Sequence, residues 1–273
     1  MNSVEVNGVE LEYEVAGSGE PVLLISPVIA DGFRPLLSEP VLADRYRLIR
    51  YHKRGWMGST PTPAPVSVLD HAADAAAILD HLGVRRAHVA GHSSGAAVAA
   101  QLTLDRPETV HTLILLELSL FSVPSGPAFL REAGPAFAAY ADGDHEQALA
   151  AFMTVVSGLD WATCRALLDE RLPGAVAQAV KDADTFFGIE LPALTEWTFG
   201  PEQAAAIGCP VLSVRGTDTR PLWSEVAGFL RAALPDVQDR TIDGVGHLLH
   251  LQRPEPVAHA IADFLASNSM TGH

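Results

Sequence analysis

Short runs of apolar residues recur along the first half of the chain and predict buried strands. Four such runs occupy residues 22–25, 46–51, 88–90 and 110–116. Strands buried on both faces of a parallel sheet lack the apolar–polar alternation of half-exposed strands. Residues 66–82 instead place apolar side chains at helical spacing. This alternation of strand and helix predicts an α/β fold in which helices cover a mostly parallel sheet.

The two ends of the chain extend this pattern, and the middle interrupts it. Near the start, Asn7-Gly8 joins two predicted strands, Ser3–Val6 and Glu10–Val15, and is suited to the positive φ angles of a tight hairpin turn. Residues 118–201 are rich in alanine and helical in character, and Pro and Gly break them repeatedly. Strand and helix patterns return after residue 201. We therefore predict a core domain of residues 1–117 and 202–273, with residues 118–201 inserted as a helical cap.

Charge and composition exclude several classes of partner. The chain has 33 acidic and 18 basic side chains, which give a formal net charge of −15. Such a field repels phosphate backbones and anionic lipid surfaces, so neither nucleic acid nor a membrane is an expected partner. The N-terminus lacks a basic start and an apolar core, so a cytoplasmic location is the default expectation. Cys164 and Cys209 lie far apart without the Cys/His spacing of a zinc site, and no metal is expected.

A candidate nucleophile follows the predicted strand at residues 88–90. Gly91-His92-Ser93-Ser94-Gly95 has the G-x-S-x-G pattern, and an Ala-rich helical segment comes directly after it. In this strand–turn–helix setting the serine occupies a sharp turn that exposes its hydroxyl. The alternative is an ordinary helix start with Ser93 or Ser94 as N-cap. The strand before and the helix after favour the nucleophile, and we expect the ring of His92 to point away from it.

A serine hydroxyl needs a base to take its proton, and the far end of the chain provides a histidine. His247 ends Asp243-Gly244-Val245-Gly246-His247, between the predicted strand at 237–242 and the last predicted helix. A loop after the final strand can place its side chain over the carboxyl edge of the sheet. We therefore predict Ser93 and His247 as nucleophile and general base.

With these motifs, the chain resembles the α/β-hydrolase superfamily over nearly its whole length. A third matching segment is Arg54-Gly55-Trp56-Met57-Gly58-Ser59. The resemblance implies an oxyanion hole formed by the backbone N–H groups of Val28 and Ser94. Many members carry His-Gly before the first donor, whereas this chain has Ser26-Pro27. Proline has no N–H, but Val28 follows it and keeps the donor.

The acid of the triad has two candidates. In most of the family it follows the strand read here at 211–214, three residues after a glycine, where this chain has Thr219; Asp218 lies one residue earlier. The second candidate, Glu117, ends the apolar run at 110–116. An unpaired carboxylate there would be costly, so it requires a partner. Zearalenone-type lactonases, which the chain resembles in Ser93-Ser94-Gly95-Ala96, use a glutamate at this strand end. We favour Glu117 and keep Asp218 as the alternative.

These residues predict an esterase or lactonase that works without a cofactor. Ser93 would attack an ester or lactone carbonyl, His247 would relay the proton, and Glu117 would orient the imidazole. Carbon–carbon bond hydrolysis, amide hydrolysis and perhydrolysis could use the same triad, and a ligand-binding receptor of this fold is a further alternative. A homodimer is compatible with the sequence. We expect a small apolar substrate. The apolar cap residues that could line the substrate pocket are Phe121, Phe129, Phe137, Trp161, Phe186, Phe187 and Trp197.

Overall fold

One sheet of eight strands organises the chain in the computed structural model, which describes residues 1–63 and 65–270. The strands are β1 (Asn2–Val6), β2 (Val9–Ala16), β3 (Glu20–Ile25), β4 (Tyr46–Tyr51), β5 (Ala87–His92), β6 (Val110–Leu116), β7 (Val211–Gly216) and β8 (Val237–Ile242). Each predicted strand segment is present. Asn7 and Gly8 have φ angles of 49° and 75°, so the hairpin turn is also confirmed.

The strand order places a topological switch point at the centre of the sheet. The order is β1-β2-β4-β3-β5-β6-β7-β8, with β1 and β2 antiparallel to their neighbours and the other strands parallel. From β3 the chain crosses to β4 on one side and then returns to β5 on the other. In open α/β sheets, ligands bind beyond the carboxyl ends of the strands at such a point. Here the ends of β3 and β5 flank it.

Helices cover both faces of the sheet. Those outside the β6–β7 connection are α1 (Arg34–Leu37), α2 (Pro40–Ala43), α3 (Val68–His81), α4 (Ser94–Asp105), α13 (Pro221–Ala233), α14 (Leu249–Gln252) and α15 (Pro254–Ser267). Two separate apolar cores pack against the two faces, one around Leu23, Val89 and Leu113 and the other around Leu24, Ala90 and Ile114. Because successive strand residues point to opposite faces, the continuous apolar runs fill both cores.

Helix α3 shows what the helical spacing could and could not predict. Ser67 caps it, accepting from the Asp70 N–H while the Asp70 carboxylate accepts from the Ser67 N–H, and this exchange satisfies two N-terminal backbone donors. The buried face carries Ala72, Ala75 and Ile78, whereas Leu69 is 54% exposed. Alanine is common all round this helix, so the spacing predicted the helix but did not define its buried face.

The connection from β6 to β7 is largely helical. It contains α5 (Gly126–Glu132), α6 (Gly134–Ala141), α7 (His145–Ser157), α8 (Trp161–Arg171), α9 (Ala175–Lys181), α10 (Ala183–Thr185), a π-helix (Phe186–Glu190), α11 (Leu191–Glu196) and α12 (Pro201–Ala206). All of these except α12, which begins at the last residue of the segment, lie within residues 118–201, where the sequence predicts a cap. The division into a core and a cap domain stays a prediction.

Candidate active site

A sharp turn, the elbow, joins β5 to α4 at Ser93, the predicted nucleophile. Ser93 has φ 56° and ψ −119°, a backbone conformation that residues other than glycine rarely adopt. The residue is partly exposed. A Cβ added at Gly91 would collide with the backbone of Gly95, and one added at Gly95 would collide with that of Ile25. Only glycine fits at either position. The local sequence therefore permits a tight turn that presents the Ser93 hydroxyl above the sheet.

Glu117 follows β6, the strand next to the elbow, and also has positive φ, at 44°. Its carboxylate is buried and accepts three hydrogen bonds. Oε2 accepts from Nδ1 of His247 at 2.8 Å and from the hydroxyl of Thr219 at 2.9 Å, and Oε1 accepts from the N–H of Gly216 at 2.9 Å. When it is ionised, the Glu117 carboxylate can only accept, so Nδ1 of His247 then carries the proton and Nε2 is left as the basic nitrogen.

The structure brings Glu117, and not Asp218, to the imidazole. Asp218 is exposed, and its carboxylate accepts a hydrogen bond from the hydroxyl of Thr217 at 2.9 Å. Thr219, at the position where most of the family carries the acid, faces inward and bonds to Glu117. Thr219 thus donates a hydrogen bond to a carboxylate that follows the neighbouring strand.

The His247 ring is confined by two aromatic neighbours. Trp223 of α13 stacks on it with ring centres 3.8 Å apart and planes at 22°, and the His92 ring lies 4.6 Å away. Nε2 of His92 donates to the backbone oxygen of His247 at 2.9 Å. The expectation that the His92 ring points away from the nucleophile is therefore wrong, because the ring packs against His247 and its N–H finds an acceptor in the backbone oxygen of that residue.

Burial sets the protonation of the pair. It lowers the pKa of His247 from its usual 6.5 to about 3. Burial also raises the pKa of Glu117 to about 7, although the hydrogen bonds from Gly216 and Thr219 act in the opposite direction. Both shifts disfavour charge in this enclosed region. At neutral pH the imidazole is therefore neutral and able to accept a proton.

Ser93 and His247 line one cavity at the carboxyl edge of the sheet. Oγ of Ser93 lies 2.9 Å from Oγ of Ser119, a buried residue two positions after Glu117. The predicted oxyanion donors Val28 and Ser94 line the same cavity. Ser94 is the first residue of α4, and an N–H at that position has no partner within its helix. The structure thus gathers Ser93, Ser94, Val28 and His247 around a common space.

Apart from the polar side chains of His92, Ser119 and His250, the rest of the cavity wall is apolar. Among the described residues that line it, none is an Asp, Glu, Lys or Arg, and its free volume of about 30 Å³ holds about two water molecules. The apolar wall residues from the β6–β7 connection and α13 are Phe121, Phe129, Phe152, Met153, Val156, Phe186, Leu191, Leu194 and Trp223. Three of the seven cap residues named from the sequence are among them: Phe121, Phe129 and Phe186.

The other predicted wall residues pack elsewhere, and residues that the sequence did not single out replace them. The ring of Phe187 contacts Phe137, and Nε1 of Trp197 donates to Gln101 at 2.9 Å. Ser119, Trp223 and Thr219 reach the site from loops and a helix whose local sequence carries no catalytic motif. The contacts of Ser119 and Thr219 span 26 and 102 residues of sequence, and no local pattern encodes such contacts.

A wider cavity of about 280 Å³ adjoins the first and shares Val28 and Ile29 with it. The carboxylates of Asp31 and Asp182 line this outer cavity, as does Arg34, which pairs with Asp31 at 3.4 Å. Across residues 1–63 and 65–270, no cluster of three or more His, Cys, Asp or Glu side chains is arranged to hold a metal ion. In the same residues, no helix is both long and apolar enough to span a membrane.

Comparison with known proteins agrees with this architecture. Residues 26–254 match the family model described as alpha/beta hydrolase fold. A Klebsiella pneumoniae (strain 342) protein, provisionally named carbamate hydrolase RutD, is 28% identical over 257 residues, which are 91% of this chain and 92% of that protein.

Two solved structures extend the similarity. Est816, described as an N-acyl homoserine lactone degrading enzyme, is 26% identical with a TM-score of 0.74, covering 96% of this chain and all of Est816. MGS-M2, an alpha/beta hydrolase enzyme from a Medee basin deep-sea metagenome library, has a TM-score of 0.82 at 13% identity, over all of this chain and 99% of MGS-M2. The likeness to MGS-M2 concerns the fold alone.

Proposed function

Because the chain belongs to the α/β-hydrolase family, we propose that it is a serine hydrolase that cleaves a carboxylic ester or a lactone. In this proposal Ser93 is the nucleophile, His247 is the general base, and Glu117 orients the imidazole. The observation that carries it is the 2.8 Å contact between His247 Nδ1 and Glu117 Oε2, beside the cavity that Ser93 lines. This contact leaves Nε2 of a neutral imidazole as the group that can accept the serine proton.

The reaction follows from these protonation states. Oγ of Ser93 attacks the carbonyl carbon while Nε2 of His247 takes the hydroxyl proton, and the imidazolium then protonates the leaving alkoxide. A water molecule attacks the acyl-enzyme in the second half, giving its proton to His247 and releasing the acid and Ser93. Glu117 stabilises the imidazolium in both halves because its carboxylate stays hydrogen bonded to Nδ1.

The oxyanion that forms in each half requires donors fixed in advance. The backbone N–H groups of Val28 and Ser94 are the proposed pair, on the loop after β3 and the first turn of α4. These ends flank the switch point of the sheet, where the backbone is fixed by hydrogen bonding on both sides. In enzymes of this kind, loss of one such donor costs on the order of 10²–10³ in rate.

The wall of the cavity supports a neutral, apolar acyl group as the substrate. Burying a charged substrate group there would leave it without a partner, at a cost of several kcal/mol. A free volume of about 30 Å³ leaves little room for an ester, so we propose that the helices of the cap, residues 118–201, move when a substrate enters. The outer cavity, which shares Val28 and Ile29, supports an entrance on that side.

Carbamate hydrolysis is a second candidate, favoured by the provisional name of the full-length Klebsiella relative. A carbamate ester presents the same kind of carbonyl to Ser93 and can leave through the same steps. A free carbamate anion fits less well, because the described lining has no cationic side chain. Carbon–carbon bond hydrolysis, amide hydrolysis and perhydrolysis on the same triad, and slow turnover in a receptor, remain the alternatives.

A steady-state assay with p-nitrophenyl esters of increasing acyl length tests the proposal. We expect turnover by the natural chain and its loss in Ser93→Ala, with the variant still folded by circular dichroism. The exposed Ser122→Ala serves as a matched control and should retain full activity. Stoichiometric binding of the esters without turnover by the natural chain would instead support a receptor. Hydrolysis of a matched carbamate ester at a higher kcat/KM would favour the second candidate.

A further inference from the structure

A buried carboxylate from the β6–β7 connection holds the residue after the nucleophile. The hydroxyl of Ser94 donates to Oε1 of Glu190 at 2.5 Å, across 96 residues of sequence. The other oxygen of Glu190 lies 2.6 Å from the ammonium of Lys53, which follows β4. Lys53, Ser94 and Glu190 are all buried, with 3%, 5% and 4% of their surface exposed. Three distant segments therefore meet at the elbow.

Packing alone does not explain this ion pair. A buried pair loses the hydration of two charges, and well-packed apolar residues in its place are often as stabilising or more so. Burial raises the pKa of Glu190, but Lys53, the nearby His71 and the hydrogen bond from Ser94 together outweigh burial and hold that pKa below its usual value. Burial lowers the pKa of Lys53 while Glu190 opposes the change. The two groups thus support each other's charge at the back of the elbow.

The same turn of helix also builds the wall of the cavity. Glu190 is the last residue of the π-helix, whose first residue, Phe186, lines the cavity together with Leu191. A π-helix is rare and often occurs at functional sites, because it changes which side chains face a given direction. Here it directs Phe186 to the substrate cavity and Glu190 to the elbow. One rigid segment fixes both.

On the basis of the proposed function, we infer that Glu190, neutralised by Lys53, is a positioning residue for the oxyanion hole. Its hydrogen bond fixes the side chain of Ser94, and so the peptide N–H of that residue, relative to the π-helix and the cavity wall. An uncompensated anion so near the reacting carbonyl would oppose the oxyanion, and Lys53 cancels its charge. Small displacements of a catalytic group are costly, since about 1 Å can lower the rate about 10²-fold.

A double-mutant cycle between Glu190 and Ser94 tests the inference. We expect Glu190→Gln and Ser94→Ala each to lower kcat for short p-nitrophenyl esters by about tenfold to a hundredfold, with KM changed by less than about twofold. The double variant should be no worse than the poorer single variant, because both remove the same contact. Losses that multiply, or a wild-type kcat in Ser94→Ala, would overturn it. Ser94→Ala keeps the backbone and tests the contact even if Glu190→Gln does not fold.

The neighbouring ion pair of Arg54 and Asp74 provides a matched control. Nε and Nη2 of Arg54 donate to the buried carboxylate of Asp74 at 2.7 and 2.6 Å. Asp74→Asn should lower the melting temperature. In that variant, Ser94→Ala should still lower kcat by the same factor as in the natural chain. If Asp74→Asn is coupled to Ser94→Ala as strongly as Glu190→Gln is, Glu190 is only structural. That result would reject its positioning role.

Fluorophosphonate labelling separates this inference from the proposed function. If Ser93 is the nucleophile, Ser93→Ala abolishes labelling, and Glu190→Gln should slow it by a factor similar to the loss in kcat. Unchanged labelling and turnover in Glu190→Gln, with Ser93→Ala inactive, would overturn the role of Glu190 alone. Full turnover in Ser93→Ala would overturn both.

Discussion

The hydroxyl of Thr219 donates a hydrogen bond to Oε2 of Glu117 over 2.9 Å. Thr219 stands where most of the family has its acid, and Glu117 directly follows β6, the strand that pairs with β7. The two strand ends are adjacent, so a carboxylate from either could approach His247. In this chain the longer glutamate reaches the ring, and the threonine supports it.

We expect exchange of the acid to separate the two candidates. Glu117→Gln should lower kcat by on the order of 10⁴, because the amide cannot stabilise the imidazolium or fix the reactive tautomer. Asp218→Asn, at an exposed position one residue from Thr219, should change kcat by less than about twofold. Steady-state kinetics with one p-nitrophenyl ester measure both. A large loss in Asp218→Asn would contradict the assignment of Glu117.

The pH dependence of kcat/KM should show the titration of the His247–Glu117 pair. Under the proposed mechanism, activity requires neutral His247 and ionised Glu117, so it should fall as the pH decreases through the apparent pKa of the pair, with the pKa of Glu117 raised to about 7 by burial. In Glu117→Gln only the imidazole titrates, and burial lowers its pKa to about 3.

The acid limb of that variant should therefore move to lower pH, and its residual activity should be nearly flat from about pH 5 to 8. A full pH series in a constant-ionic-strength buffer measures both profiles. An unchanged acid limb in Glu117→Gln would show that another group controls it.

Ser119 should contribute a hydrogen bond to the nucleophile. Its hydroxyl lies 2.9 Å from that of Ser93, and donation would stabilise the oxygen of Ser93 as its proton leaves. A hydrogen bond to a developing charge contributes about 1.5–3 kcal/mol at most, so Ser119→Ala should lower kcat by roughly tenfold. Ser122→Ala is the control. Faster turnover in Ser119→Ala would mean that Ser119 restrains the nucleophile instead.

A charged acyl group should be a poor substrate. Ethyl pentanoate and monoethyl glutarate differ only at the end of the acyl chain. The first ends in a methyl group and the second in a carboxylate. The described cavity wall offers no cationic partner, and Asp31 and Asp182 line the outer cavity. We expect kcat/KM for the glutarate to be lower by more than about a hundredfold. A pH-stat assay measures both, and equal values would contradict a neutral acyl site.

Much of the fold followed from short-range patterns. Apolar runs predicted the parallel strands, and the Gly-x-Ser-x-Gly turn predicted the elbow because its glycines are required by close backbone contacts. Glu117 was a candidate because a lone carboxylate at the end of the apolar run at 110–116 demands a partner. Identifying that partner required the fold, since His247 lies 130 residues away.

Other features of the site carry no local signal. Trp223 belongs to an amphipathic helix, and its stacking on His247 depends on how α13 packs beside β8. In the sequence, nothing distinguishes Glu190 from other helical residues. In the structure, the π-helix directs its side chain toward Ser94. Such contacts depend on tertiary packing that residue spacing does not specify.

The most direct test of the account is covalent labelling of the nucleophile. After treatment with a fluorophosphonate and proteolysis, we expect mass spectrometry to find one adduct, on the peptide that contains Ser93, with a labelling rate sharply lower in His247→Ala. An adduct on another serine, or labelling of Ser93 at the same rate without His247, would contradict the central claim.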